Sequence, residues 1–81
     1  MSDIHQEFIK FIVKRLVDNP DSISIEESTP DENTIKFSLK VDKDDIGKVI
    51  GRQGKTVQSI RTLLTAIVAK GRKRAILNVM D

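Results

Sequence analysis

The densest chemistry in the sequence lies between Ile46 and Ile60. Gly51 and Gly54 bracket Arg52 and Gln53, and Lys55 and Thr56 follow at once. Glycine carries no Cβ, so another backbone can come close to it. Ile46, Val49 and Ile50 before this bend, and Val57 and Ile60 after it, have helical spacing. The bend therefore joins two helices, the second starting near Lys55. The first amides of a helix lack an intrahelical partner and carry partial positive charge. Those near Gly54, Lys55 and Thr56 are expected to point out at the bend, and Arg52 and Lys55 add whole charges. Main-chain donors, two cations and no acid suit a phosphodiester backbone. A bare G-x-x-G spacing is a weak signal; the flanking helices and cations supply its context.

The charge distribution points the same way. Met1 to Asp42 holds 9 acids and 5 bases, net −4, and Lys43 to Asp81 holds 9 bases and 3 acids, net +6. From Ile46 to Arg74 stand Lys48, Arg52, Lys55, Arg61, Lys70, Arg72, Lys73 and Arg74 with no acid among them. A charge run is ordinarily a solvated face, but one without compensating acids creates a field that attracts a polyanion. Other chemistry has little to work with. The 81 residues include no cysteine, which excludes a disulfide framework, a thiolate zinc site and a cysteine nucleophile. His5 is the one histidine, on the apolar side of the first helix, and reads as a half-buried or terminal-turn residue rather than a metal ligand. Neither G-x-G-x-x-G nor the P-loop pattern occurs. An enzyme is not expected, nor a cofactor, a metal or a small-molecule substrate. No stretch approaches the ~18 apolar residues of a membrane span. The first residues lack the basic start and apolar run of a secretory signal, so a cytoplasmic protein is expected.

The elements that position the bend follow from periodicity. Residues 3–18 form a helix whose apolar arc spans about 240° of the wheel, wider than packing on one sheet requires. The excess suggests deep burial or a second surface against another chain. Asn19-Pro20 stops this helix. A hairpin over 22–41 follows. Ser22 to Glu26 is its short first strand, Ser28 to Asn33 its turn, and Ile35, Phe37, Leu39 and Val41 alternate along the second strand. Asp42 is the N-cap of the next helix, with Asp44 and Asp45 in its first turn. The helix–turn–helix stretch covers 43–70, with Gly47 as a close helix-packing point. Val57, Ile60, Leu64, Ile67 and Val68 form the core stripe of the second helix, and Gly71 its C-cap. The last strand spans 74–80. With two helices intervening, it pairs in parallel with a neighbour. The order α-β-β-α-α-β gives one α+β, two-layer domain over 1–81, a three-stranded mixed sheet covered by three helices. Phe8, Phe11 and Phe37 all fall on core stripes, and there is no tryptophan or tyrosine. Base stacking on exposed rings is therefore not expected, which argues against an RRM or OB-type binder. Modest affinity and weak sequence preference follow.

Ile50-Gly51-Arg52-Gln53-Gly54 between two helices resembles the I-G-x-x-G hallmark of KH domains, and the element order matches the type II, bacterial-style arrangement. The resemblance covers nearly the whole chain and is to the small stand-alone KH proteins of the KhpA kind. It implies a single-stranded RNA-binding protein, with roles as an RNA chaperone or global post-transcriptional regulator and links to cell shape and cell-wall growth. It also implies a homodimer, or a heterodimer with a second KH-containing protein. Gly51, Arg52, Gln53 and Gly54 would lie against the sugar–phosphate backbone of about four nucleotides. Lys55 and Thr56 would extend the clamp, and Ile46, Val49, Ile50 and Val57 would supply an aliphatic floor or the core beneath it. The last strand near Ile76 would form the opposite wall and meet base edges. Lys70, Arg72, Lys73 and Arg74 could lengthen the positive track, although Arg72 to Arg74 is more often a solvated loop than a base reader, and Arg61 either reaches phosphate or stays solvated. Two rival readings stand beside this one. One is a DNA-binding helix-turn-helix that exposes Lys55, Gln58, Ser59, Arg61, Thr62 and Thr65 to a major groove. The other is a dimerisation or interaction module that takes no nucleic acid, suggested by the wide arc of the first helix.

Overall fold

The most regular alternation in the sequence becomes the middle of the sheet. The computed structural model describes residues 3–80. Met1, Ser2 and Asp81, which the single-domain reading includes, lie outside the described residues. The elements are α1 (Asp3–Lys14), β1 (Ser24–Asp31), β2 (Thr34–Lys40), α2 (Ile46–Ile50), α3 (Lys55–Ala69) and β3 (Arg74–Met80). The order is α-β-β-α-α-β, as the pattern predicts. β1 pairs antiparallel with β2, β3 pairs parallel with β2, and the sheet order is β1-β2-β3.

One face of the sheet makes the core. Phe37 and Leu39 of β2 and Leu77 of β3 are fully or almost fully buried, against Ile9 and Val13 of α1, Val49 of α2, and Val57, Ile60, Leu64 and Val68 of α3. Each such side chain contributes about 1.5–3 kcal/mol by leaving water. Strand alternation sends Lys36, Ser38, Lys40, Ile76 and Asn78 to the other face, which carries no helix.

Several local expectations are corrected. α1 ends at Lys14, short of the predicted residue 18. Its bonding tightens there, with Arg15 and Leu16 donating to the carbonyls of Ile12 and Val13. The amides of Asp18 and Asn19 are then taken by the Asp45 carboxylate, so they cannot prolong the helix. Pro20 opens a 3₁₀ turn, Pro20–Ser22, leaving Ser22 outside the sheet. β1 reaches Asp31, so most of the expected turn is strand. β1 is an edge strand with an irregularity between Ser28 and Asp31, where a proline is tolerated. The turn itself is Glu32-Asn33, held by Asp31, whose carboxylate accepts from the Asn33 amide at 2.8 Å and the Thr34 hydroxyl at 3.1 Å. The second strand stops at Lys40 rather than Val41, although Val41 is buried.

Phe11 is not a core residue: it is 58% exposed, with the Arg15 guanidinium 4.2 Å from its ring centroid. Ile67 is also exposed, as are Ile4 and Leu63. A helix lying on a sheet buries only part of an arc this wide, and the remaining apolar side chains face outward. His5 is half-buried, edge-on to Phe37 at 6.1 Å. Gly47 is no packing point, since a Cβ there would meet nothing within 4 Å.

Candidate nucleic-acid interface

The bend is built by three successive backbone choices. The Gly51 amide donates to the Gly47 carbonyl at 2.9 Å and closes α2. Gly51 then takes φ 78°, ψ 176°, a region essentially reserved for glycine. Gln53 (φ 57°, ψ 26°) and Gly54 (φ 75°, ψ 10°) follow in the left-handed region, and α3 starts. Gly51 is also required by space. A Cβ there would lie 2.2 Å from Thr56 Oγ1 and 2.6 Å from Thr56 Cβ. Thr56 therefore sits directly against Gly51 and supports the bend from below.

Which amides the bend offers differs from the expectation. Gly54 donates to the Gly51 carbonyl at 3.1 Å, and Lys55 donates to the Arg52 carbonyl. Both are spent inside the turn. The amides of Arg52 and Gln53 donate to no carbonyl among the described residues, and both residues are exposed. The two residues between the glycines thus offer free donors, while Gly54 and Lys55 do not. Arg52 and Lys55 are exposed cations beside them. Ile50, next to the bend, is 36% exposed and Ile46, at the other end of α2, is half-buried, while Val49 and Val57 belong to the core.

Two cations of the acid-free segment are already engaged. Lys48 bonds the Asp18 carboxylate and lies 3.5 Å from Asp45. The hydrogen bond to Asp18 raises its pKa above the usual 10.5 despite some desolvation, and the nearby carboxylate charges add to this. Arg61 is half-buried and its guanidinium is bonded within the chain. Its Nε and Nη2 donate to the Leu77 carbonyl at 3.1 and 3.0 Å, and its Nη1 donates to Gln58 Oε1 at 3.3 Å. β3 is an edge strand, and Arg61 satisfies a carbonyl that has no neighbouring strand.

The other candidates are not gathered at the bend. Ile76 is 40% exposed but lies on the open face of the sheet, away from the helices, so it does not wall a groove opposite Gly51–Gly54. Arg72 and Lys73 stand at the far end of α3, whose 15 residues put them about 22 Å from the bend at 1.5 Å per residue. Gly71 is not the left-handed cap. Arg72 takes that conformation, with φ 59°.

A residue that the sequence reading took only as a first-turn acid ties the segment after α1 to α2. Asp45 is fully buried and accepts from the amides of Asp18 (3.2 Å) and Asn19 (3.0 Å) and from Asn19 Nδ2 (3.1 Å). Burial pushes its pKa up, but these bonds and the Lys48 charge outweigh burial and hold it below the usual 3.8. The carboxylate ties the segment after α1 to the start of α2. The signal was available: Asp45 lies four residues before the core residue Val49, on the same helix face.

A two-layer α-β-β-α-α-β domain with a glycine-bracketed turn between its last two helices is a KH-like domain. The family described as KhpA/KhpB, KH domain, matches residues 6–79. The chain is 45% identical over 74 residues to an RNA-binding protein KhpA of Caldanaerobacter subterraneus subsp. tengcongensis, covering 91% of this chain and 97% of that protein. An RNA-binding protein KhpA of Chlamydia pneumoniae is 41% identical over 76 residues, covering 94% and 96%. One from Borreliella burgdorferi is 43% identical over 75 residues, covering 93% and 90%. The chain belongs to the KhpA/KhpB KH-domain family.

Proposed function

We propose that this chain binds single-stranded RNA by laying the sugar–phosphate backbone across Gly51–Gly54. The observation that carries this reading is the pair of unspent, exposed amides at Arg52 and Gln53, held between glycines in a fixed turn and flanked by Arg52 and Lys55. Amides preorganised in this way bind phosphate oxygens without first giving up an internal bond. The names of the relatives, RNA-binding protein KhpA, support RNA as the partner. Ile50 and Ile46 supply aliphatic contact beside the clamp. Thr56 supports the turn from below, and Arg61 steadies β3 behind it.

Contact directed at the backbone is tolerant of sequence. Phe11 is the one exposed aromatic ring among the described residues, and Arg15 already covers one of its faces. Modest affinity and weak base preference follow. Such tolerance suits an RNA chaperone or a global post-transcriptional regulator in the cytoplasm, with the links to cell shape and cell-wall growth that the resemblance implies. No helix among the described residues is long and apolar enough to cross a membrane. Pairing, with itself or with a second KH-containing protein, is part of the same proposal, supported by the outward apolar side chains Ile4 and Phe11 on α1 and Leu63 and Ile67 on α3. Sedimentation that gives only monomer at high concentration removes the self-pairing. Duplex DNA is the weaker reading. α2 is little more than one turn, and Arg61, a residue that would face the groove, is bonded to Leu77.

The deciding experiment follows the amide signals of Gly51 through Lys55 by NMR during titration with a short single-stranded RNA, with duplex DNA as competitor. These signals should move first, and R52D/Q53D should abolish binding while leaving the fold intact. Unmoved signals, or RNA binding that survives the double substitution, would refute the clamp.

A further inference from the structure

The loop between α3 and β3 carries Lys70, Arg72, Lys73 and Arg74, all exposed, and no ion pair among the described residues joins any of them to an acid. Its shape is fixed. Gly71 and Lys73 donate to the Val68 carbonyl at 3.0 and 3.3 Å, Arg72 donates to Ala69 at 2.9 Å, and Arg74 donates to Asn33 at 2.8 Å. This is the helix-ending arrangement in which the residue after the cap adopts a left-handed conformation, normally as glycine. Here Arg72 holds that conformation at φ 59°, although a glycine stands one residue earlier. A cation kept at a strained backbone position invites a functional explanation. Asp31 and Glu32 share a cavity of about 410 Å³ with Arg74. Lys70, Arg72 and Lys73 are the cations outside that cavity's lining.

We infer that Lys70, Arg72 and Lys73 form a second phosphate-binding point, separated from the Gly51–Gly54 clamp by the length of α3, so that the domain's full ligand is an RNA longer than the clamp holds. The inference rests on the clamp reading. The clamp takes about four nucleotides. Spanning the about 22 Å of α3 takes up to about 6 more, the count at the stacked spacing of ~3.4 Å per nucleotide. An RNA of about 5 nucleotides meets one point, and one of about 14 nucleotides reaches both.

The test measures binding of unstructured RNAs of these two lengths across a salt series, for the full chain, for R52D/Q53D, and for K70Q/R72G/K73Q. The slope of log affinity against log salt is the readout, because a longer RNA offers more registers and gains affinity for that reason alone. Each phosphate contact on a single strand contributes about 0.7 to the slope. The triple variant should lower the slope for the longer RNA by about 2 and leave the shorter RNA unchanged. The glycine at position 72 relaxes the turn, which keeps the variant folded, and thermal denaturation checks this. R52D/Q53D should abolish binding at both lengths. A slope for the longer RNA that the triple variant leaves unchanged overturns the second point and spares the clamp. Binding of the longer RNA that ignores R52D/Q53D overturns the clamp, and with it the reading of one RNA held at two points.

Discussion

Gly51→Ala should be the most damaging single-methyl change at the bend, and its cost can be worked from geometry. The backbone at φ 78°, ψ 176° is one that an alanine adopts only at about 1–3 kcal/mol. The added methyl would also lie 2.6 Å from Thr56 Cβ and 3.0 Å from the Thr56 amide nitrogen. A rotamer change moves Oγ1 but neither of these atoms, so the backbone of Thr56 must shift, at about 1–3 kcal/mol. Together these give about 2–6 kcal/mol, against about 4–12 kcal/mol for the whole of a domain this size. At 4–8 °C per kcal/mol, a central loss of about 4 kcal/mol lowers Tm by roughly 15–30 °C. Two other glycines serve as controls. Gly54 has φ 75° but open space around it, so Gly54→Ala costs only the left-handed conformation, about 1–2 kcal/mol. Gly47 is helical with nothing within 4 Å of its position for a Cβ, so Gly47→Ala should stabilise by about 0.5–1 kcal/mol. Circular dichroism during heating and in urea reads all three. A Gly51→Ala protein that melts with the parent, or a Gly47→Ala protein that melts as early as Gly51→Ala, would refute the geometry.

Arg72→Gly should raise stability by about 1–2 kcal/mol, because the left-handed cap no longer strains a side chain; an unchanged or lower Tm counts against the cap assignment. Arg61→Ala should cost about 1–2 kcal/mol through the lost bonds to the Leu77 carbonyl and leave the salt slope of RNA binding alone. Arg61→Lys should not restore it, since an ammonium lacks the paired planar donors. Asp45 has a folded pKa held below the unfolded value of 3.8, so its contribution is fully present above that value and is lost as pH falls through the folded one. Acid titration followed by circular dichroism should therefore show a stability loss beginning below about pH 4, with a shallower dependence in Asp45→Asn. Lys48 has the opposite sign: its raised pKa gives stability that is complete below 10.5 and fades as pH climbs beyond it.

Much of this protein is written in short-range patterns. The alternation Ile35, Phe37, Leu39, Val41 marks a strand because side chains on a strand switch faces at every residue. The spacing of Val57, Ile60, Leu64 and Val68 marks a helix with one buried stripe, and Gly51-Arg52-Gln53-Gly54 marks the break between two helices. Two intervening helices required the last strand to pair in parallel, and β2–β3 is parallel. These features depend on neighbours a few residues away, which is the range over which propensity and periodicity act.

What only the folded chain decides is where each charge and each apolar face ends up. Lys48 and Arg61 read as members of a basic track, yet one is held by Asp18 and Asp45 and the other by the Leu77 carbonyl. Asp45 reads as a surface acid of a first turn, yet packing against the segment after α1 buries it on three hydrogen bonds. Phe11 reads as core, yet one sheet cannot cover so wide an arc. Ile76 and the Arg72–Lys73 pair belong with the clamp on charge and hydrophobicity alone. Strand parity puts the first on the opposite face of the sheet, and the length of α3 puts the second at the opposite pole. Contacts between residues some 16 to 30 positions apart set these outcomes, and no local pattern encodes such pairings, because each requires two elements to dock before either partner can know the other.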